Sequence, residues 1–209
     1  MNYKKFLAFT LAEVMITMTI VGAIASMTIP TLINKRVQAE RSAKLKNFYS
    51  KMINAVDQMV SDGNSYEYMS APDSVAGFYD WYLKNLDRYV GHALLDRDNY
   101  TVYFVDESSM HIGNGTDCRR VLYDTNGVKT PNKEGYDQYR FLFCFTNAGR
   151  RTNFGGNDTI FFGVYNPENE YLEQKTEQEV LNKCKSDVQY CTKVLQNNNW
   201  DYPPNYPFK

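Results

Sequence analysis

Glu13 raises the clearest chemical question in this chain, because it is an acid inside an apolar run. Residues 6–33 read FLAFTLAEVMITMTIVGAIASMTIPTLI, and Glu13 is their only charge. A run of about 20 apolar residues is long enough for a helix to cross roughly 30 Å of hydrocarbon. A carboxylate in such a segment costs roughly 2.5–3.5 kcal/mol on insertion scales, so we expect Glu13 to have a partner.

A second group of polar side chains lies in a loop of turn-forming residues, 124–137. Asp124, Asn126 and Asp137 offer oxygen atoms there, and Ca²⁺ takes about six to eight oxygen ligands. The loop lacks most of an EF-hand pattern, which favours a loop held by Asx turns, with Gly127 at a positive φ. A calcium site formed by the three side chains is the alternative, and no other cofactor is predicted.

The four cysteines all lie downstream of the apolar run. None stands in a Cys-x-x-Cys spacing and the chain has only two histidines, which disfavours metal or redox chemistry. In an oxidising compartment an even number of cysteines predicts two disulfides, whereas a cytoplasmic domain would keep four thiols. Three connectivities are open, and one of them joins Cys184 to Cys191 and Cys118 to Cys144.

No pattern in the chain supports catalysis. It contains no Gly-x-Ser-x-Gly elbow, no P-loop and no His-Glu-x-x-His, and His92 and His111 stand alone. We therefore predict that the protein is not an enzyme. The net charge of −1 gives no electrostatic basis for a nucleic-acid partner.

The elements that position these residues begin with one long helix. The spacing of apolar residues predicts that it runs from Phe9 to about Ser61, with Pro30 near the end of its apolar half. The second half is amphipathic, and its apolar stripe is predicted to pack on a globular domain. The stripe consists of Leu45, Phe48, Tyr49, Met52, Ile53, Val56, Met59 and Val60.

The rest of the chain predicts an α+β fold. A second helix is expected after Asp73 or Ser74, and a last one from Thr176, where Thr176-Glu-Gln-Glu179 is a capping box. Between them, β-branched and aromatic segments predict an antiparallel sheet of about four or five strands. The proline-rich tail from Trp200 is expected to lie extended on the domain. The predicted strands are 100–105, 110–112, 119–123, 141–146 and 159–165.

The N-terminal stretch resembles the start of type IV pilins and type II secretion pseudopilins. The match consists of Lys4-Lys5 followed by Phe9-Thr-Leu-Ala-Glu13-Val. In that family a prepilin peptidase removes a short basic leader just before the Phe, and the new terminus is usually N-methylated. By resemblance the cut falls between Ala8 and Phe9, although the family usually has Gly where this chain has Ala8.

The resemblance also implies how copies assemble. Cleavage would expose a positive α-amine on Phe9, and the amine of a neighbouring copy would pair with Glu13, because opposite charges attract strongly in apolar surroundings. Head-to-tail contacts that do not close into a ring give a filament. The implied product is a pilin or pseudopilin subunit of a type IV pilus-like or type II secretion filament.

The same resemblance implies a fold, a location and partners. The fold is a long helix packed on a small antiparallel sheet domain, and Pro30 stands where pilins commonly carry a proline. The protein would be anchored in the inner membrane with its domain extracytoplasmic, and would then enter a periplasmic or cell-surface filament. Its partners would be prepilin peptidase, an assembly platform, membrane lipid and other pilin-like subunits. The segments would be a leader (1–8), the transmembrane assembly helix (9–33), its amphipathic half (34–61) and a globular pilin-like domain (62–209).

Other interpretations of the N-terminus stay open. The run is also compatible with an ordinary single-pass anchor, whose domain would be a tethered binding or adhesin module that does not polymerise. A cleaved secretory signal with an Ala23-Ile-Ala25 site is disfavoured by Glu13 in its apolar region. The positive-inside rule opposes an outside domain, because more basic residues follow the run than precede it. Those that follow are Lys35, Arg36, Arg41, Lys44 and Lys46.

Overall fold

The computed structural model describes residues 9–63, 71–155, 161–165 and 176–208. Contacts divide the chain into two units, Met1–Ala39 and Glu40–Lys209. Helix α1 (Leu11–Ser61) begins in the first unit and ends in the second, and Pro30 lies inside it. The helix therefore follows the predicted span closely, and it is the only regular element among the described residues of the first unit.

The second unit contains one six-stranded antiparallel sheet whose strands follow each other in chain order. We had expected four or five strands, and the additional one is the short first strand, which is only three residues long. Of the predicted strand 159–165, residues 159 and 160 lie outside the described residues. The strands are β1 (Leu94–Asp96), β2 (Thr101–Tyr103), β3 (Ser109–Ile112), β4 (Cys118–Asp124), β5 (Gln138–Cys144) and β6 (Phe162–Val164).

The apolar stripe of α1 packs against the sheet within the second unit. Phe48 stacks on Tyr123 of β4 with ring centroids 3.9 Å apart and meets Phe141 of β5 edge-on at 5.2 Å. Leu45, Met52 and Met59 are fully buried in the same core. The amphipathic half is thus confirmed as the core helix of this unit. Val60 is the exception, since it is 38% exposed.

Among the described residues, the second unit has five shorter α-helices, and two of them were not predicted. Ser74 caps the second helix and Thr176 and Glu179 form the expected capping box at the fifth. The fourth was missed because its sequence, NAGRRTNF, has low intrinsic helix propensity. Its two ends are marked by Thr146, whose side chain caps the first turn, and by Gly155 in the left-handed conformation. The helices are α2 (Val75–Asn85), α3 (Asp87–Val90), α4 (Asn147–Phe154), α5 (Glu177–Ser186) and the unpredicted α6 (Cys191–Asn197).

The C-terminal tail lies on the second unit without regular secondary structure, as expected. Trp200 and Tyr206 are buried, and the Tyr206 hydroxyl donates to the Gly135 carbonyl oxygen at 2.7 Å. Ser42 of α1 donates to Asp201 at 2.9 Å. The tail therefore connects the loop after β4 to the base of the amphipathic helix half.

Candidate functional site

The first unit presents an apolar helical surface that no other described residue covers. Its large apolar side chains between residues 9 and 33 are all exposed, with Phe9 at 86% and Leu11 at 79%. The helix is long and apolar enough to cross a membrane. A surface of this size needs lipid or another apolar surface against it. The other exposed members are Val14, Met15, Ile16, Met18, Ile20, Val21, Ile24, Met27, Ile29, Leu32 and Ile33.

Glu13 lies in the first turn of α1 and bonds to Thr10 just before the helix. One carboxylate oxygen, Oε2, accepts the Thr10 backbone N–H and the Thr10 hydroxyl, both at 2.8 Å. The Glu13 backbone N–H donates to Thr10 Oγ1 at 3.2 Å. These reciprocal bonds are a capping box, which satisfies donors that a helix end leaves free. A negative charge at this end also interacts favourably with the helix dipole.

Sequence reasoning missed this role, although the signal was present. Thr10-Leu-Ala-Glu13 has the same Thr-x-x-Glu spacing as the box recognised at Thr176. Within the described residues, the other carboxylate oxygen, Glu13 Oε1, receives no hydrogen bond. Oε2 of Glu13 is therefore bonded to Thr10, whereas Oε1 is free to accept a hydrogen bond from another group. Ala8, the residue before the predicted cut, lies outside the described residues.

The other polar side chains of the apolar segment are satisfied by the helix itself. Thr17 donates to the Val14 carbonyl oxygen at 2.9 Å, and Thr28 donates to that of Ile24 at 3.0 Å. Such bonds to the preceding turn let hydroxyl side chains enter an apolar environment. Glu13 is therefore the one group of this segment that carries a charge into such surroundings. Thr19, Ser26 and Thr31 make bonds of the same kind.

The three candidate calcium ligands lie in the loop after β4, and their oxygens are mostly engaged. Asp124 accepts the Asn126 backbone N–H and the Gln138 side-chain amide, each at 2.9 Å. Asp137 is fully buried, and its two oxygens accept the backbone N–H groups of Asn132 at 3.0 Å and Lys133 at 2.5 Å. These bonds are those of a loop held by its own side chains, the favoured interpretation of the sequence.

The interior of this loop is filled by the side-chain amide of Asn132. With its nitrogen turned inward, the amide reaches the Asp124 carboxylate at 3.3 Å and the carbonyl oxygens of Gly127 and Lys129 at 3.2 and 2.6 Å. Burial raises the pKa of the Asp124 carboxyl, and the bond from Gln138 opposes that shift. In that orientation the Asn132 amide serves these oxygens without a cation, whereas Asn126 Oδ1 is buried and has no hydrogen-bond partner among the described residues. Among the described residues, no group of three or more His, Cys, Asp or Glu side chains could hold a metal ion.

The four cysteines form two disulfides in the second unit. Cys118 and Cys144 are directly paired residues of β4 and β5, so their bond joins two neighbouring strands of the sheet. Cys184 and Cys191 join α5 to the start of α6. Of the three connectivities left open by the sequence, the structure has this one. Two disulfides are typical of a domain that folds in an oxidising compartment.

Comparison with known proteins gives a family but no activity. A family model described as a family of unknown function, DUF6613, matches residues 31–209. The chain belongs to this family. The match covers all of α1 beyond Pro30 and the whole second unit, and it leaves out the segment around Glu13. No curated protein and no solved structure matches the chain.

Proposed function

We propose that the protein is a pilin or pseudopilin, a structural subunit of a type IV pilus-like or type II secretion filament. It is not an enzyme in this proposal, and prepilin peptidase processes it between Ala8 and Phe9. The observation that carries the proposal is the exposed apolar surface of α1 with a single carboxylate in its first turn. A tethered domain needs only the apolar surface, and the capping box needs an acceptor oxygen but no charge. The negative charge of Glu13 has a purpose if it meets a charged partner.

The free terminus of a second copy is the partner that suits Glu13. After cleavage the α-amine of Phe9 lies four residues upstream, about 6 Å along a helix axis. A neighbouring helix displaced by about one turn would bring its own amine to the open Glu13 Oε1. In apolar surroundings such a pair is strongly favoured once both charges are desolvated, and it would fix the stagger between subunits.

The partners and the location follow from this assembly. The subunit waits in the inner membrane as a single-pass protein with its N-terminus in the cytoplasm and its disulfide-bonded unit outside. An assembly platform in that membrane then adds it to copies of itself or to sister subunits. The two disulfides support an extracytoplasmic place for the second unit.

A shear assay tests the proposal with a matched pair of variants. In cells that express Glu13→Val, we expect normal membrane insertion and no sheared filament, because the subunit amine has no acid to meet. Thr17→Val is the control, since Thr17 lies one turn further on and its hydroxyl bonds only to the Val14 carbonyl oxygen. Filaments at the wild-type level from Glu13→Val would overturn the proposal.

A tethered binding module is the second candidate, and one cleft favours it. A cleft of about 640 Å³ lies between the edge strand β1 and the loop after β4. Leu94 and Val128 line it and are 61% and 74% exposed. This function predicts that Glu13→Val cells keep the protein's surface activity, and that Leu94→Ser together with Val128→Ser removes it.

A further inference from the structure

Two cations follow the apolar run directly, and neither has a protein partner in the described structure. Lys35 and Arg36 are the first charged residues after Glu13, and both side chains are exposed. Within the described ranges neither makes a hydrogen bond, an ion pair or a contact with an aromatic ring. The nearest acid in the sequence, Glu40, pairs instead with Lys44 at 3.3 Å. A lysine and an arginine are therefore open to a partner outside the chain.

The basic residues that follow in the second unit differ in this respect. Arg41 lies over the Tyr136 ring at 3.8 Å and is only 8% exposed. Lys44 donates to the Thr125 carbonyl oxygen at 3.0 Å, and Lys46 donates to Asn199 at 3.2 Å. These three cations serve the packing of the unit. Of the five basic residues that follow the run, only Lys35 and Arg36 are thus without a partner among the described residues.

The position of this pair along the helix matches the thickness of a bilayer. Lys35 follows Glu13 by 22 residues, which is about 33 Å along a helix axis. The hydrocarbon core of a bilayer is about 30 Å thick. When the apolar segment spans the core, the pair reaches the phosphate layer on the side of the second unit. No acid lies between Glu13 and Glu40 to compete for it.

We propose that Lys35 and Arg36 form a headgroup site for anionic phospholipids, with the lipid phosphate as the group they bind. The guanidinium of Arg36 presents two parallel donors to a phosphate, and the Lys35 ammonium adds a compact point charge. Consecutive helical residues point about 100° apart, so the two cations face neighbouring lipids. The site needs only the membrane span of α1 and does not depend on filament assembly.

The site also accounts for a conflict in the sequence. Basic residues on the far side of a span oppose the placement of the second unit outside the cytoplasm. If Lys35 and Arg36 bind lipid phosphates, their position after the apolar run is explained on either side of the membrane. By binding headgroups, the two residues hold the subunit at a fixed depth in the bilayer until the subunit leaves the membrane.

Lipid selectivity of the full-length protein tests the site. The protein is reconstituted into bilayers of equal phosphatidylcholine and phosphatidylglycerol, and native mass spectrometry measures the ratio of the two lipids that stay bound. We expect phosphatidylglycerol to be enriched on the wild-type chain, and Lys35→Gln with Arg36→Gln to lower that enrichment by about fivefold for each charge removed. An excess of soluble glycerol phosphate should not displace the lipid, which separates a membrane site from a free-phosphate site.

The control removes the same charge elsewhere. Lys51→Gln with Lys185→Gln changes two exposed cations of the second unit and should keep the wild-type ratio. Lys4 and Lys5 are present in all three chains, so their contribution cancels in the comparison. Equal binding of both lipids to the wild type, or an unchanged ratio in the Lys35–Arg36 variant, would overturn the site. Since the measurement uses unassembled protein, it says nothing against a filament.

Discussion

At the scale of the residue, Glu13 has two possible partners that demand different chemistry. As the acid of a capping box it needs an acceptor oxygen for the Thr10 N–H, and glutamine supplies one as well as glutamate does. As the partner of a subunit amine it needs a negative charge. The open Oε1 allows both roles at once, and a substitution that keeps shape and removes charge separates them.

Glu13→Gln makes this separation. We expect it to keep the capping box and membrane insertion and to abolish filaments as completely as Glu13→Val does, because the amide carries no charge for the neighbouring amine. Blotting of the shear fraction against the membrane fraction measures the outcome. Should Glu13→Gln assemble normally while Glu13→Val does not, the acid would be a helix cap and the ion pair would be refuted.

The residue scale also shows what sequence reasoning can and cannot reach. Asp124, Asn126 and Asp137 were recognised as loop residues with oxygen ligands, and they do lie in one loop. A further polar residue of this loop, Asn132, was not singled out, because its amide meets the Asp124 carboxylate and the Gly127 and Lys129 carbonyls only after the loop folds. The spacing of residues in the sequence shows which side-chain oxygens the loop contains. Which donor contacts those oxygens depends on the tertiary structure.

At the scale of the element, α1 is a helix with two kinds of surface. Up to Ile33 its large apolar residues are exposed, and from Arg41 one face is buried in the core of the second unit. Its boundaries and its amphipathic half were predictable, because apolar periodicity over such a length is a strong signal. Strand β1 was not predictable, since three residues are too few for a periodic signal and its strand conformation depends on pairing with β2.

Phe48→Ala tests the amphipathic half of α1 as the core of the second unit. Phe48 is 4% exposed and stacks on Tyr123, so we expect a loss of about 3–5 kcal/mol in unfolding free energy. Val60→Ala is the matched control on the same helix and should lose about 0.5 kcal/mol or less. Urea unfolding of the full chain in detergent, followed by tryptophan fluorescence, measures both. Similar losses for the two variants would contradict the packing described.

The two disulfides allow a comparison of elements within one protein. The bond between β4 and β5 closes 26 residues and the bond between α5 and α6 closes seven. Chain entropy then assigns them about 3.5 and about 2.4 kcal/mol. Replacing Cys118 and Cys144 by alanine should therefore lower the unfolding free energy by about 1 kcal/mol more than replacing Cys184 and Cys191. The reverse order in the same urea experiment would refute the entropic account.

At the scale of the whole molecule, the chain combines an ordinary folded unit with a helix surface that no other part of the described chain covers. The second unit has its own core and two disulfides. The first unit exposes large apolar residues along α1, together with Glu13 near one end and Lys35 and Arg36 near the other. In the two proposals, lipid would contact the apolar surface and the two cations, and the free amine of a second copy would pair with Glu13.

The α+β class and the single candidate membrane span followed from patterning, because both depend on long periodic segments. The family match starts at residue 31 and therefore does not bear on the Phe9 to Glu13 segment. The proposed function thus predicts a processing event that would leave a new N-terminal residue, Phe9.

The N-terminal residue of the native protein tests the central claim most directly. Mass spectrometry of the protein recovered from cell membranes and from the shear fraction reads that residue. We predict Phe9, carrying an α-amine that is free or methylated, in both fractions. A chain that begins at Met1 or at Ser26 would have no amine to offer Glu13 of its neighbour, and the filament account would be contradicted.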